Sequence, residues 1–205
     1  TLFPDGFGPP APAPRCFRFD PMGAFDAFGN YFAVYLLDDN LGARFCVYQR
    51  SPDGGATFDT AGTFGFPPSP GLDRETVSTG PDPLSPGGMQ VICSLVDFGT
   101  GDILGSKLVV APGGGPNGEG GLVVGGGLAF INDFPVPPGR FYQHGTPSIG
   151  PTGEIYTSFI EGDTATPEVI PTFIWMDPDV AGTGFANPDI FVATTPNFAK
   201  RTSIS

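Results

Sequence analysis

Residues 50–58 read Arg50-Ser51-Pro52-Asp53-Gly54-Gly55-Ala56-Thr57-Phe58 and directly follow the alternating run Ala43-Arg44-Phe45-Cys46-Val47-Tyr48-Gln49. Alternation over that length predicts a strand, and the residues after it are those a tight turn needs. Ser51 and Asp53 offer oxygens to nearby backbone N–H groups. Gly54 and Gly55 permit positive φ, and Phe58 returns an apolar side chain toward the core. A chain organised around such a turn is committed to antiparallel strands.

The composition extends this reading to the whole chain. Gly (32) and Pro (25) are abundant enough to suggest disorder. Disordered chains, however, are poor in aromatics and rich in charge, whereas this one has 20 Phe and only 15% charged residues over 205 positions. Gly and Pro therefore read as punctuation between many short strands, and the predicted class is all-β. Acidic residues outnumber basic ones, 21 to 9, for a net charge of -12. Such a surface repels nucleic acid and anionic lipid and argues against both as partners. No run of apolar residues is long enough to span a membrane as a helix. The chain opens Thr1-Leu2-Phe3-Pro4, without a signal peptide, which suits a segment excised from a longer protein.

Self-similarity is the second constraint. The first unit contains Asp20 to Phe28, a Gly29-Asn30 turn and the strand Tyr31 to Leu36; the second contains Asp73 to Thr79, a Pro/Gly turn ending at Gly88 and the strand Met89 to Phe98. The third contains His144 to Ile149, a turn at Gly153 and the strand Glu154 to Ile160. Turn glycines Gly29, Gly88 and Gly153 thus recur at intervals of about sixty residues. The strand Thr172 to Met176 then runs into Asp177-Pro178-Asp179-Val180-Ala181-Gly182-Thr183-Gly184-Phe185, a degenerate version of the first turn with Asp177, Asp179, Gly182 and Phe185 in matching order. Pro/Gly-rich stretches at 9–14, 66–71, 112–121 and 135–139 read as loops, with 113–121 the candidate mobile insertion.

The turn Ser51-x-Asp53-x-Gly55-x-Thr57-Phe58 resembles the Asp box of sialidase-like (BNR-repeat) β-propellers. There the box closes the hairpin between a blade's third and fourth strands and serves structure, far from the catalytic centre. The resemblance implies about three four-stranded blades of a larger ring, at approximately 15–70, 71–140 and 141–205, after a Pro-rich arm over 1–14. A propeller ring needs more than three blades, so the remaining blades or another subunit are the expected partners, and the isolated segment is not expected to fold as a monomer. An immunoglobulin-like sandwich would leave the repeated turn unexplained. Asp53 is expected to bond N–H groups of its own turn, with Phe58 buried between strands.

The same family implies where an active site would lie. Phe17-Arg18-Phe19-Asp20-Pro21 stands near the position of the family's Phe-Arg-Ile-Pro substrate arginine, but Phe19 replaces Ile and Asp20 intrudes before Pro21. Asp38 and Asp39 follow the second strand, where the general acid would fall, yet Asp38-Asp39-Asn40 also reads as an ordinary polar turn. None of the other six arginines carries a matching motif, so no catalytic residue is assigned. The loops 97–102 and 177–179 offer oxygens suited to calcium but fit no calcium-loop pattern, so no metal or cofactor is expected. His144, the one histidine, reads as a strand-start residue. Cys46 and Cys93 sit in apolar runs and read equally as buried thiols or as a disulfide; Cys16 is the third cysteine.

The implied function is a non-catalytic extracellular module with a structural or recognition role in a larger assembly, with glycans as candidate ligands. A fragment of a secreted sialidase-like glycoside hydrolase and a subunit of a self-assembling surface or fibre structure are the alternatives.

Overall fold

The computed structural model describes residues 17–39, 41–59, 61–112, 121–123, 129–130, 138–163, 173–179 and 190–193. The arm 1–14, Cys16, Gly182, Phe185 and most of the insertion 113–121 lie outside these. Among the described residues all regular structure is β-strand, arranged as three antiparallel meanders. None contains a helix long and apolar enough to cross a membrane.

The first sheet runs β1 (Phe17–Phe25), β2 (Tyr31–Asp38), β3 (Arg44–Ser51) and β4 (Gly62–Thr63), each paired with the next. The second runs β5 (Leu72–Pro81), β6 (Met89–Asp97), β7 (Asp102–Ala111) and β8 (Gly121–Val123), with β9 (Ala129–Phe130) covering the other half of the free β7 edge. The third runs β10 (Arg140–Ile149), β11 (Ile155–Asp163), β12 (Phe173–Asp179) and β13 (Ile190–Ala193). The first strands pack side by side across the sheets, β1 against β5 and β5 against β10, as the inner strands of consecutive propeller blades do. The three sheets therefore have the arrangement of consecutive β-propeller blades.

Burial follows from this stacking. The middle blade is covered on both faces, so β6 is buried at Met89 through Val96 with neither face open to solvent. Its odd-numbered side chains Val91, Cys93 and Leu95 join Phe32, Val34, Leu36, Cys46 and Tyr48 of the first blade in one cluster. Its even-numbered Ile92 and Val96, with Ile103, meet Tyr142, Ile155 and Phe159 of the third in another. Period-2 alternation thus sorts the side chains of a fully buried strand between two seams. Hydrogen bonds sew the second seam: the Ser94 hydroxyl donates to the Gly145 carbonyl at 2.6 Å, and Gln90 Nε2 donates to the Gly153 carbonyl at 2.7 Å. Gly80 permits the close approach of β5 and β10, since a Cβ there would meet Ile149 Cγ2 at 2.3 Å.

Two expectations need correction here. The left-handed turn residue of the second blade is Gly87 (φ 78), not Gly88, matching Gly29 (φ 88) and Gly153 (φ 96), each two residues before its strand. His144 lies inside β10, four residues after its start, because the inner strands begin before the alternating pattern does.

Candidate functional site

The turn after β3 is held by side chains. The Asp53 carboxylate accepts the Thr57 amide at 2.8 Å, the Thr57 hydroxyl at 2.6 Å and the Ser51 hydroxyl at 2.8 Å, while Ser51 Oγ accepts the Gly55 amide at 2.7 Å. Gly54 and Gly55 take φ of 70° and 101°. The hydrogen bonds from Thr57, then Ser51, lower the Asp53 carboxyl to about 2. Asp53 is exposed, and Phe58 is only half-buried, edge-on to Tyr31 at 6.4 Å, rather than buried between strands as expected. In the third blade, Asp179 pairs with Ile155 as Ser51 pairs with Tyr31, so Asp179 stands where Ser51 does. Asp177 lies two residues inside β12, paired with Thr157 and buried; it is not a turn residue.

At the opposite end of the blades, the sequence-based candidates resolve into turns. Asp39 accepts the amides of Leu41 (2.7 Å) and Ala43 (3.0 Å), capping its own hairpin. Asp38 pairs with Arg44 at 3.9 Å. Arg18 is placed by its backbone in β1, opposite Leu37. Asp97 accepts the Ser69 hydroxyl and the Gly99 amide, holding its turn together. Among the described residues no group of three or more His, Cys, Asp and Glu is arranged to hold a metal ion.

A feature missed in the sequence brings this end together. Each inner strand carries a β-bulge at the same place: Asp20-Pro21 opposite Tyr35, Arg74-Glu75 opposite Leu95, and His144-Gly145 opposite Phe159. Asp20 (φ 47) and Arg74 (φ 56) adopt left-handed backbone there, which non-glycine residues rarely do, and such strain concentrates at functional sites. A bulge re-aims side chains out of the alternating pattern. Here the first two bulges frame a cleft of about 530 Å³ lined by Asp20, Pro21, Met22, Asp73, Arg74, Glu75 and Thr76, within the size range of ligand pockets.

Glu75 is the chemically distinctive residue of this cleft. It is 2% exposed, and neither carboxyl oxygen has a hydrogen-bond partner among the described residues. Burial pushes its carboxyl up to about 8, the charges of Asp20 and Asp73 add to that, and the amides of Glu75 and Leu36, outside hydrogen-bond geometry, offset part of it. At neutral pH the group is therefore largely a neutral acid, able both to donate and to accept a hydrogen bond. Arg74 beside it is exposed, its guanidinium 5.9 Å from the Phe98 ring centroid. Thr76 turns inward, its hydroxyl bonded to Ser94 and to the Gly145 carbonyl, which anchors the bulge to the third blade.

No family model matches the sequence, and no curated protein matches it. Among solved structures the fold is similar to that of a Hadza microbial sialidase, with a TM-score of 0.52 at 12% identity over 87% of this chain and 38% of the sialidase. A polysaccharide lyase, an ulvan lyase bound to -[GlcA(1-4)Rha3S]-, aligns with a TM-score of 0.47 at 11% identity, over 85% of this chain and 43% of its own. The chain thus spans less than half the length of either, and the sialidase likeness places its fold among sialidase-like propellers.

Proposed function

We propose that this chain is a segment of an extracellular, glycan-recognising β-propeller of the Asp-box type, which holds an uncharged stretch of glycan at the bulged ends of its inner strands. One observation carries the reading: a buried carboxyl without a partner, Glu75, lines an open cleft between the inner strands of adjacent blades. An unpartnered buried polar group is costly, and sugar hydroxyls, which donate and accept alike, supply what a neutral acid lacks. Asp20 and Asp73 beside it, in a chain of net charge -12, disfavour anionic sugars. Recognition fits better than hydrolysis because Asp38 and Asp39 are engaged by Arg44 and by their own turn. The remaining blades of the ring come from the same polypeptide or from another subunit.

A second reading rests on the raised carboxyl of Glu75. A group protonated at neutral pH is the donor a glycoside hydrolase needs for its leaving group. One experiment separates the two. The whole protein is screened on a panel of neutral and sialylated glycans, and bound glycans are checked for cleavage. Binding of neutral glycans without cleavage, weakened roughly tenfold by Arg74→Ala, is the expected result. Cleavage abolished by Glu75→Gln favours the hydrolase; exclusive binding of sialosides, or none at all, overturns the proposal.

A further inference from the structure

The seam between the first two blades contains a pair of thiols that the cleft does not use. Cys46 of β3 and Cys93 of β6 meet there with their Sγ atoms 3.6 Å apart, both as free thiols. They are 2% and 0% exposed, in the cluster formed by Val34, Leu36, Val91 and Leu95. The two residues belong to different sheets and lie 47 positions apart in sequence.

We propose that Cys46 and Cys93 form a disulfide that staples the first blade to the second when the protein folds in an oxidising compartment. A disulfide requires an S–S distance of about 2.05 Å, so the thiols need approach by only about 1.5 Å, a movement on the scale of side-chain adjustment. Once the seam has closed the pair is unreactive: burial first, then the hydrogen bond and charge of Cys93, hold the Cys46 thiol well above its ordinary range. The bond therefore forms during folding, while solvent still reaches both sulfurs. A small-molecule disulfide, RSSR, is the oxidant. One cysteine thiolate attacks it and expels RS⁻. The second thiolate attacks the protein sulfur of that mixed disulfide and expels the other RS⁻. Two protein thiols become one disulfide, and RSSR is reduced to two RSH, their protons coming from the cysteines. The staple also sets the spacing of the two blades that frame the cleft, yet it does not depend on what the cleft binds.

The test is to refold the whole protein in a mixture of reduced and oxidised glutathione and map its peptides by mass without reduction. The expected product is a Cys46–Cys93 linked peptide lighter by two hydrogen atoms than its reduced parts. Reduction should then lower the unfolding midpoint by roughly 5–10 °C. Cys16→Ser should leave both results unchanged, and the double variant Cys46→Ala/Cys93→Ala should abolish them. If the double variant does not fold, reduced and oxidised wild-type protein give the same comparison. Full alkylation of Cys46 and Cys93 after unreduced denaturation, or a disulfide from either to Cys16, overturns the proposal.

Discussion

Replacing Glu75 by Gln keeps the shape of the side chain and removes its proton equilibrium, so it isolates what burying this carboxyl does to the fold. The group titrates at an ordinary 4.5 when unfolded and at about 8 when folded. Below pH 4.5 both states are protonated and the group contributes nothing. Between these values the unfolded chain releases a proton that the folded protein retains, so stability falls as pH rises through the window and levels off above about pH 8. The whole shift corresponds to a ceiling of about 5 kcal/mol. Relaxation of the site and water penetration on ionisation take up part of that, leaving on the order of 2 kcal/mol. The Gln amide adds its own offset, independent of pH, so the slope is the quantity to read. Thermal unfolding of wild type and Glu75→Gln from pH 4 to 9 should show the midpoints diverging in favour of the variant. That divergence should amount to about 4–8 °C across the window. Parallel curves would mean that Glu75 ionises normally, and the account of the cleft as a neutral-acid site would fail.

Asp53→Ala should lower the unfolding midpoint at pH 7. Because the folded carboxyl is depressed to about 2, its contribution is present above its ordinary 3.8 and lost as pH falls through 2; a gap that persists undiminished at pH 2 would refute the turn-holding role. Lys107→Met leaves the Asp82 carboxylate, its partner at 2.8 Å, buried with the Leu84 amide at 3.3 Å but no opposite charge on it. It should cost about 3 kcal/mol in denaturant unfolding, most of it recovered when Asp82→Asn is added; equal losses in the single and double variants would show that the pair is not coupled.

The all-β class, the strand-turn-strand units and the turn after β3 were legible in the sequence because each rests on local chemistry. Alternation over Ala43 to Gln49, the oxygens of Ser51 and Asp53 and the freedom of Gly54 and Gly55 act within a few residues of one another. The positions of Asp177 and Asp179 were not legible in this way. Asp177 and Asp179 have the right order, but the register with β11 puts one inside a strand and the other at the position of Ser51, and register is a property of pairing.

The bulges mark the boundary between the two kinds of knowledge. Pro21 and Gly145 are residues that announce a bulge when they fall inside a strand, but the strands were read as starting near them, so the signal passed as a strand boundary. Arg74-Glu75 gives no such signal at all. Which residues converge was decided only when β1, β5 and β10 packed side by side, since positions more than fifty residues apart in the chain become neighbours through sheet stacking alone. The same stacking determines that Glu75 is buried and neutral rather than solvated and charged, and that Cys46 meets Cys93. Sequence determined what each strand and turn could be, because those choices depend on neighbours in the chain. The tertiary structure decided which side chains share a cleft or a seam, because proximity and desolvation there depend on residues that only the fold brings near.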